Sequence, residues 1–138
     1  MNSHYQFTVA DTDLDQNNHM NHVQYIYYLE QARKKWYAEV GLDANELASR
    51  NIGTVVVRLE TDFVKEAHYG AMLRIETVLV RIGTKSFTFE QTIINETEEN
   101  ITNATVTNVI LDETLRKAIP VVEEIAAFKK IFHSRQID

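Results

Sequence analysis

The residues best equipped for chemistry are crowded into one segment, Asp11-Thr-Asp-Leu-Asp-Gln-Asn-Asn-His-Met-Asn-His22, with three Asp, three Asn and two His. Three chemistries fit such a set. Asp11, Asp13 and Asp15 match the opening ligand positions of a calcium loop, but Gln16 stands where its sharp turn needs Gly and His22 where it needs a bidentate Glu. His19 and His22, three residues apart, could ligate zinc or iron with Asp15, yet His4, His68 and His133 are scattered and complete no obvious ligand set. The third is acyl chemistry. A carboxylate can activate water or attack an ester or thioester while unpaired amides at a helix start polarise the carbonyl. Asn17 and His19 could orient the water or the carboxylate. Asp11, Asp13 and Asn17 could equally do no more than cap turns. By residue chemistry alone the segment does not choose among these.

The flanking elements place the segment between a strand and a helix, where binding loops commonly sit. Tyr5–Val9 alternates apolar with polar residues and predicts a half-buried strand. Tyr25, Leu29, Ala32, Trp36 and Val40 recur every three or four residues, predicting a helix over Val23–Val40 that stops at Gly41. A short helix over Ala44–Arg50, capped by Asp43, is expected next. Thr54–Phe63, Met72–Ile82, Ser86–Asn95 and Ile101–Leu111 are rich in Val, Ile, Thr and Phe and are broken by short polar turns, which predicts antiparallel strands. Pro120 then opens an expected terminal helix carrying Val121, Val122, Ile125, Phe128, Lys129 and Phe132 at helical spacing. The pattern gives an α+β class, one long helix on one face of a sheet of about five strands.

Composition narrows the partners. The 138 residues fit one domain, 1–138, and contain no cysteine, which excludes disulfides, thiolate metal sites and a cysteine nucleophile. A formal charge of -6 disfavours general attraction to nucleic acid or to anionic lipid. No apolar run is long enough to span a bilayer and no signal-peptide layout opens the chain, so a soluble, cytoplasmic domain is expected.

Asp13, Asp15, Asn17, His19, Asn21 and Tyr25 resemble the acyl-ACP thioesterase pattern D-x-D-x-N-x-H-x-N-N-x-x-Y, with His22 replacing the second Asn. Asp15, His22, Tyr25, Glu30, Ala32 and Arg33 also resemble the 4-hydroxybenzoyl-CoA thioesterase pattern D-x-x-G-x-x-x-H-x-x-Y followed by E-x-A-R, with Asn18 in place of Gly. The resemblance implies a hotdog fold, an antiparallel sheet wrapped around the long helix, with active sites at a homodimer or homotetramer interface. It implies an acyl-CoA or acyl-carrier-protein thioesterase; no cofactor is expected, and the incomplete ligand set around His19 and His22 predicts no metal requirement. Asp15 would be nucleophile or general base, supported by Asn17 and His19 on one pattern and by His22 on the other. The backbone N–H near His22 and Val23 would polarise the thioester carbonyl.

Outside that segment, Lys85 and Ser86 in the Gly83–Ser86 turn could meet phosphates of the substrate, with Arg58, Arg74 and Arg81 as alternatives. Glu30 is expected to pair with Arg33 or Lys34, and Trp36 and Tyr37 to pack on the sheet. The other readings are a hotdog-fold hydratase/dehydratase, whose D-x-N-P-x-H run contains a Pro absent here, and a non-catalytic acyl-CoA-binding protein.

Overall fold

The central helix forms where the apolar stripe predicts it. In the computed structural model, which describes residues 2–132, α1 spans His22–Glu39 and buries Tyr25, Leu29, Ala32, Trp36 and Tyr37. Asn21 caps its start by accepting the Val23 N–H at 2.9 Å, and Gly41 ends it with φ +89°, a conformation that favours glycine. The short α2 (Ala44–Ser49) follows, with Asp43 accepting the Glu46 N–H at 2.8 Å as expected.

The strands are β1 (Asn2–Thr8), β2 (Ile52–Phe63), β3 (Met72–Ile82), β4 (Ser86–Ile94), β5 (Asn100–Asp112) and β6 (Lys117–Ile119). They pair antiparallel in the order β1-β3-β4-β5-β2, with β6 joined to β5 just past the start of β4. Helix α1 covers one face. Its first half packs Leu29 and Ala32 in a cluster with Ile75, Ile93 and Val106. In its second half Trp36 and Tyr37 meet Phe87 and Phe89 edge-on, at centroid separations from 4.8 to 6.2 Å. Side chains of this size contribute roughly 1.5–3 kcal/mol each when fully buried.

One polar network lies under the helix. Arg33, buried in its middle, donates to Gln91 Oε1 at 3.0 Å, and Gln91 Nε2 donates to Leu29 O and to Thr77 Oγ1. Arg33 therefore does not serve Glu30; Lys34 does, at 3.8 Å.

The expected terminal helix begins later than Pro120. Residues 117–119 form β6, Val121 donates its N–H to Thr84 O, and helical residues run over Glu123–Ala126 (α3) and, after a two-residue turn, over 129–132. Ile119 pairs with Ile110 on β5, so sheet pairing and β-branched residues hold the chain extended through Pro120, where its helix-opening signal is overridden.

Strand β2 is an edge. It pairs with β5 along one side, and Val55, Val56 and Val57 are exposed on it near a bulge between Val56 and Arg58. A groove of about 410 Å³ between β2 and α1 is lined by Ile26, Glu30, Arg33, Tyr37, Val56 and Leu59 among others.

Candidate active site

The Asp11–His22 segment folds back on itself as a small hairpin. A 3-10 turn covers Asp11–Asp13, Leu14 bridges to Met20, and Asp15 and His19 close the loop through the Asp15 N–H to His19 O bond at 2.8 Å. Asn18 sits at its tip with φ +61°. That left-handed backbone suits Gly, and Asn is among the side chains that tolerate it.

The three aspartates separate by environment. Asp13 is buried, its Oδ2 accepting the Ala10 N–H and the Tyr28 hydroxyl, both at 2.9 Å, while its carbonyl accepts the Asn21 N–H. Partial burial of Tyr28 itself, then its hydrogen bond to Asp13 and the Asp13 charge, push the Tyr28 phenol up to about 12. Asp13 shapes the loop. Asp15 is exposed at the hairpin, and its Oδ1 accepts the backbone N–H of Asn17 at 2.9 Å and of His19 at 3.3 Å. Its Oδ2 has no partner among the described residues.

At the helix start, the Asn21 cap occupies the Val23 N–H, whereas the His22 N–H has no hydrogen-bond partner among the described residues. The amide open to a substrate is thus that of His22. Val23 offers an exposed side chain instead. The His22 ring lies edge-on to Phe63, and Tyr25 also contacts Phe63, at 5.3 Å.

The other wall is the β2–β3 connection, which spacing did not reveal. Met20 donates its N–H to Ala67 O, and the Ala67 N–H donates to the Tyr25 hydroxyl at 3.1 Å. Glu66 meets His19 Nε2 at 3.2 Å, and the His68 ring stands edge-on to His19 at 5.2 Å. Burial first, then the charges of Glu66 and Asp15, raise the Tyr25 phenol above its ordinary value. His68 is therefore not scattered. Glu66 lies 47 residues from its partner, so no local motif links them. His133 lies outside the described residues. Among the described residues no three His, Asp or Glu side chains converge as a metal shell.

Asp15, Asn17, His19, His22, Val23 and Tyr25 are gathered at this end of the sheet. Lys85 and Ser86 are not. The Gly83–Ser86 turn, closed by a 2.7 Å bond from Gly83 N–H to Ser86 O, sits at the far end of β3, an 11-residue strand spanning about 33 Å.

A free carboxylate oxygen and an open helix-start amide within one short segment suit acyl-transfer chemistry to water, and relatives carry the same theme. A family model described as the thioesterase-like superfamily matches residues 9–128. The chain is 29% identical over 122 residues to the long-chain acyl-CoA thioesterase FadM of Escherichia coli K12, covering 87% of this chain and 91% of that protein. Two solved structures share the fold. The Staphylococcus aureus protein SAV2348, solved in complex with CoA, superposes with a TM-score of 0.89 at 15% identity, covering 97% of this chain and 85% of that one. The 1,4-dihydroxy-2-naphthoyl-CoA thioesterase Slr0204 of Synechocystis gives 0.83 at 19% identity, covering 91% and 93%. The antiparallel sheet laid around one long helix is thus the hotdog fold, and the chain belongs to the thioesterase-like superfamily as a thioester hydrolase.

Proposed function

We propose that this protein hydrolyses acyl-CoA thioesters with Asp15 as the catalytic carboxylate. The observation that carries the reading is the pairing of an unengaged Asp15 Oδ2 with an unengaged His22 N–H at the start of α1. The substrate carbonyl oxygen accepts the His22 N–H, whose position at the positive end of the helix favours developing negative charge. The attacking oxygen comes from Asp15 Oδ2 itself or from a water whose proton Asp15 takes. The tetrahedral oxyanion then collapses, the C–S bond breaks, and CoA leaves as a thiolate. If Asp15 attacked, water hydrolyses the resulting anhydride. In this reading His19, paired with Glu66 through Nε2, orients the water through its other nitrogen.

The CoA form of the substrate is favoured by the FadM relationship and by the CoA complex of SAV2348. The working unit in this reading is a homodimer paired through the free edge of β2. An uncovered 12-residue strand with exposed valines is an aggregation liability unless a second copy covers it.

Thiol release from a panel of acyl-CoAs tests the activity, and a single turnover in 18O-water separates the two routes. Label appearing in Asp15 indicates nucleophilic attack with water opening the anhydride at the Asp15 carbonyl; label confined to the acid product indicates that water attacked the acyl carbon. Failure to release thiol from any acyl-CoA refutes the reading. Light scattering tests the dimer, and Val57→Lys on the β2 edge is expected to weaken it. An active 16.0 kDa monomer at micromolar concentration refutes it.

A further inference from the structure

We infer that the acyl group this protein prefers carries an oxygen acceptor, a hydroxyl or a carboxylate, at its far end, held by Arg33, Tyr37 and Asn108. This rests on the acyl-CoA hydrolase reading above and specifies the substrate class of that same site. The starting point is the groove of about 410 Å³ between α1 and β2. Both of its walls belong to one chain. On α1, Ile26, Glu30, Arg33 and Tyr37 lie three or four residues apart, on one face that leads back to the open helix start. On β2, Phe63 stands beside His22 and Tyr25, and the strand returns from there along Leu59, Val56 and Thr54. An acyl chain whose carbonyl is held at His22 is led between these walls.

Ile26, Val55, Val56 and Leu59 make the walls largely apolar. Three polar side chains among them keep hydrogen-bonding capacity that the fold does not use. Arg33, Tyr37 and Asn108 are only 6%, 4% and 2% exposed. Among the described residues the Arg33 guanidinium donates to Gln91 Oε1 alone and has no carboxylate within salt-bridge distance, since Glu30 is taken by Lys34. The Tyr37 hydroxyl is buried without a hydrogen bond of ordinary geometry, although Thr54 approaches it. Burial raises that phenol above its ordinary value, so it stays a donor. Asn108 Nδ2 reaches Val106 O at 3.4 Å, longer than a good hydrogen bond. Buried donors without acceptors are costly. A guanidinium, a phenol and an amide lining one groove together fit an oxygen with lone pairs to share.

Gln91 fixes how far along the groove that oxygen sits. It accepts from Arg33 and donates to Leu29 O at 2.9 Å, which puts the guanidinium level with Leu29, about 10 Å of helix rise beyond His22. Tyr37 stands one turn past Arg33, about 5 Å further. An extended chain covers about 1.2 Å per bond, so an acyl group of about twelve carbons brings its last atoms among the three donors. A plain alkyl end there would cover the donors without satisfying them, which weakens its binding.

Thiol release from three thioesters of one length tests this: dodecanoyl-CoA, ω-hydroxydodecanoyl-CoA and dodecanedioyl-CoA. One or both oxygenated substrates are expected to show kcat/KM about tenfold above that of dodecanoyl-CoA, and whichever leads identifies the oxygen as hydroxyl or carboxylate. Tyr37→Phe and Asn108→Leu are each expected to bring that ratio below about threefold. In a urea melt Tyr37→Phe should be no less stable than wild type, because the hydroxyl it removes bonds nothing in the chain. An earlier melt assigns the hydroxyl to the fold and overturns the inference. So does dodecanoyl-CoA cleaved as well as both oxygenated substrates, a ratio unchanged in both variants, or cleavage confined to short acyl-CoAs, each of which leaves the hydrolase reading intact. Thiol release from no acyl-CoA of any length instead overturns the hydrolase reading itself.

Discussion

Replacing Asp15 with Asn isolates charge from scaffold, because the hairpin uses only one of its two oxygens. Oδ1 accepts the Asn17 and His19 amides, and an Asn carbonyl oxygen can accept both in the same place. The loop should therefore persist, with a stability change within about 0.5 kcal/mol, as for an exposed substitution that breaks no contact. What disappears is the negative charge and the unengaged Oδ2, which becomes an amide nitrogen. If that oxygen attacks or takes the proton from water, kcat should fall about 100-fold or more, close to 2.7 kcal/mol of barrier. Asp15→Ala removes both hydrogen bonds as well and should lose an additional 1–3 kcal/mol or so, about 0.5–1.5 for each bond. The assay is thiol release from acyl-CoA followed by a thiol-reactive chromophore, with urea melts of the three proteins as the folding control. A folded Asn variant within threefold of wild-type kcat, roughly 0.7 kcal/mol, would refute the assignment of Asp15.

Asp13 should behave oppositely: Asp13→Asn is expected to cost about 1 kcal/mol of stability while kcat stays within threefold, as read from urea melts and the same thiol assay. Tyr28, whose hydroxyl donates to Asp13, is raised from 10.0 to about 12; its stabilisation is full below pH 10 and is lost as pH rises toward 12, so Tyr28→Phe should flatten the stability profile over that window. Gln91→Leu removes the acceptor of the buried Arg33 guanidinium and should destabilise the fold by about 3 kcal/mol in a urea melt. Dialysis against a chelator should leave thiol release unchanged; loss of activity restored by one specific metal would return His19 and His22 to the role of ligands.

The elements that follow local rules were readable from the sequence, and those set by distant contacts were not. The stripe from Tyr25 to Trp36 marks α1, and Met72 and Ile82 bound β3 in the structure as in the sequence, because one buried face imposes its period on the chain. The Asp43 cap was legible for the same reason: the side chain acts within three residues. Pro120 misled because its local helix signal competes with pairing between Ile119 and Ile110, a contact no window of sequence displays. The candidate site divides the same way. Its first wall is contiguous, Asp15 to Tyr25, and could be read as one pattern. Its second wall, Glu66 to His68, reaches His19 only after β2 has run the length of the sheet and returned.

The start of α1 shows how one local structure serves both fold and chemistry. A helix leaves its first amides unpaired, and Asn21 satisfies only one of them, at Val23. Had the cap position carried an apolar residue, both amides would stand open and the helix would lose about 1 kcal/mol. The neighbouring His22 amide remains for a substrate oxygen. Placement of the carboxylate depends on the hairpin just upstream, which needs a left-handed residue at its tip. Asn18 supplies it with φ +61°, so this departure from the Gly of the related pattern preserves the turn. The Asp15 N–H and Oδ1 are then spent on closing that hairpin, which fixes the side chain and leaves Oδ2 as its one unengaged oxygen. A carboxylate held by two backbone amides, a few residues upstream of a half-capped helix, is thus a consequence of how the twelve-residue segment satisfies its own hydrogen bonds.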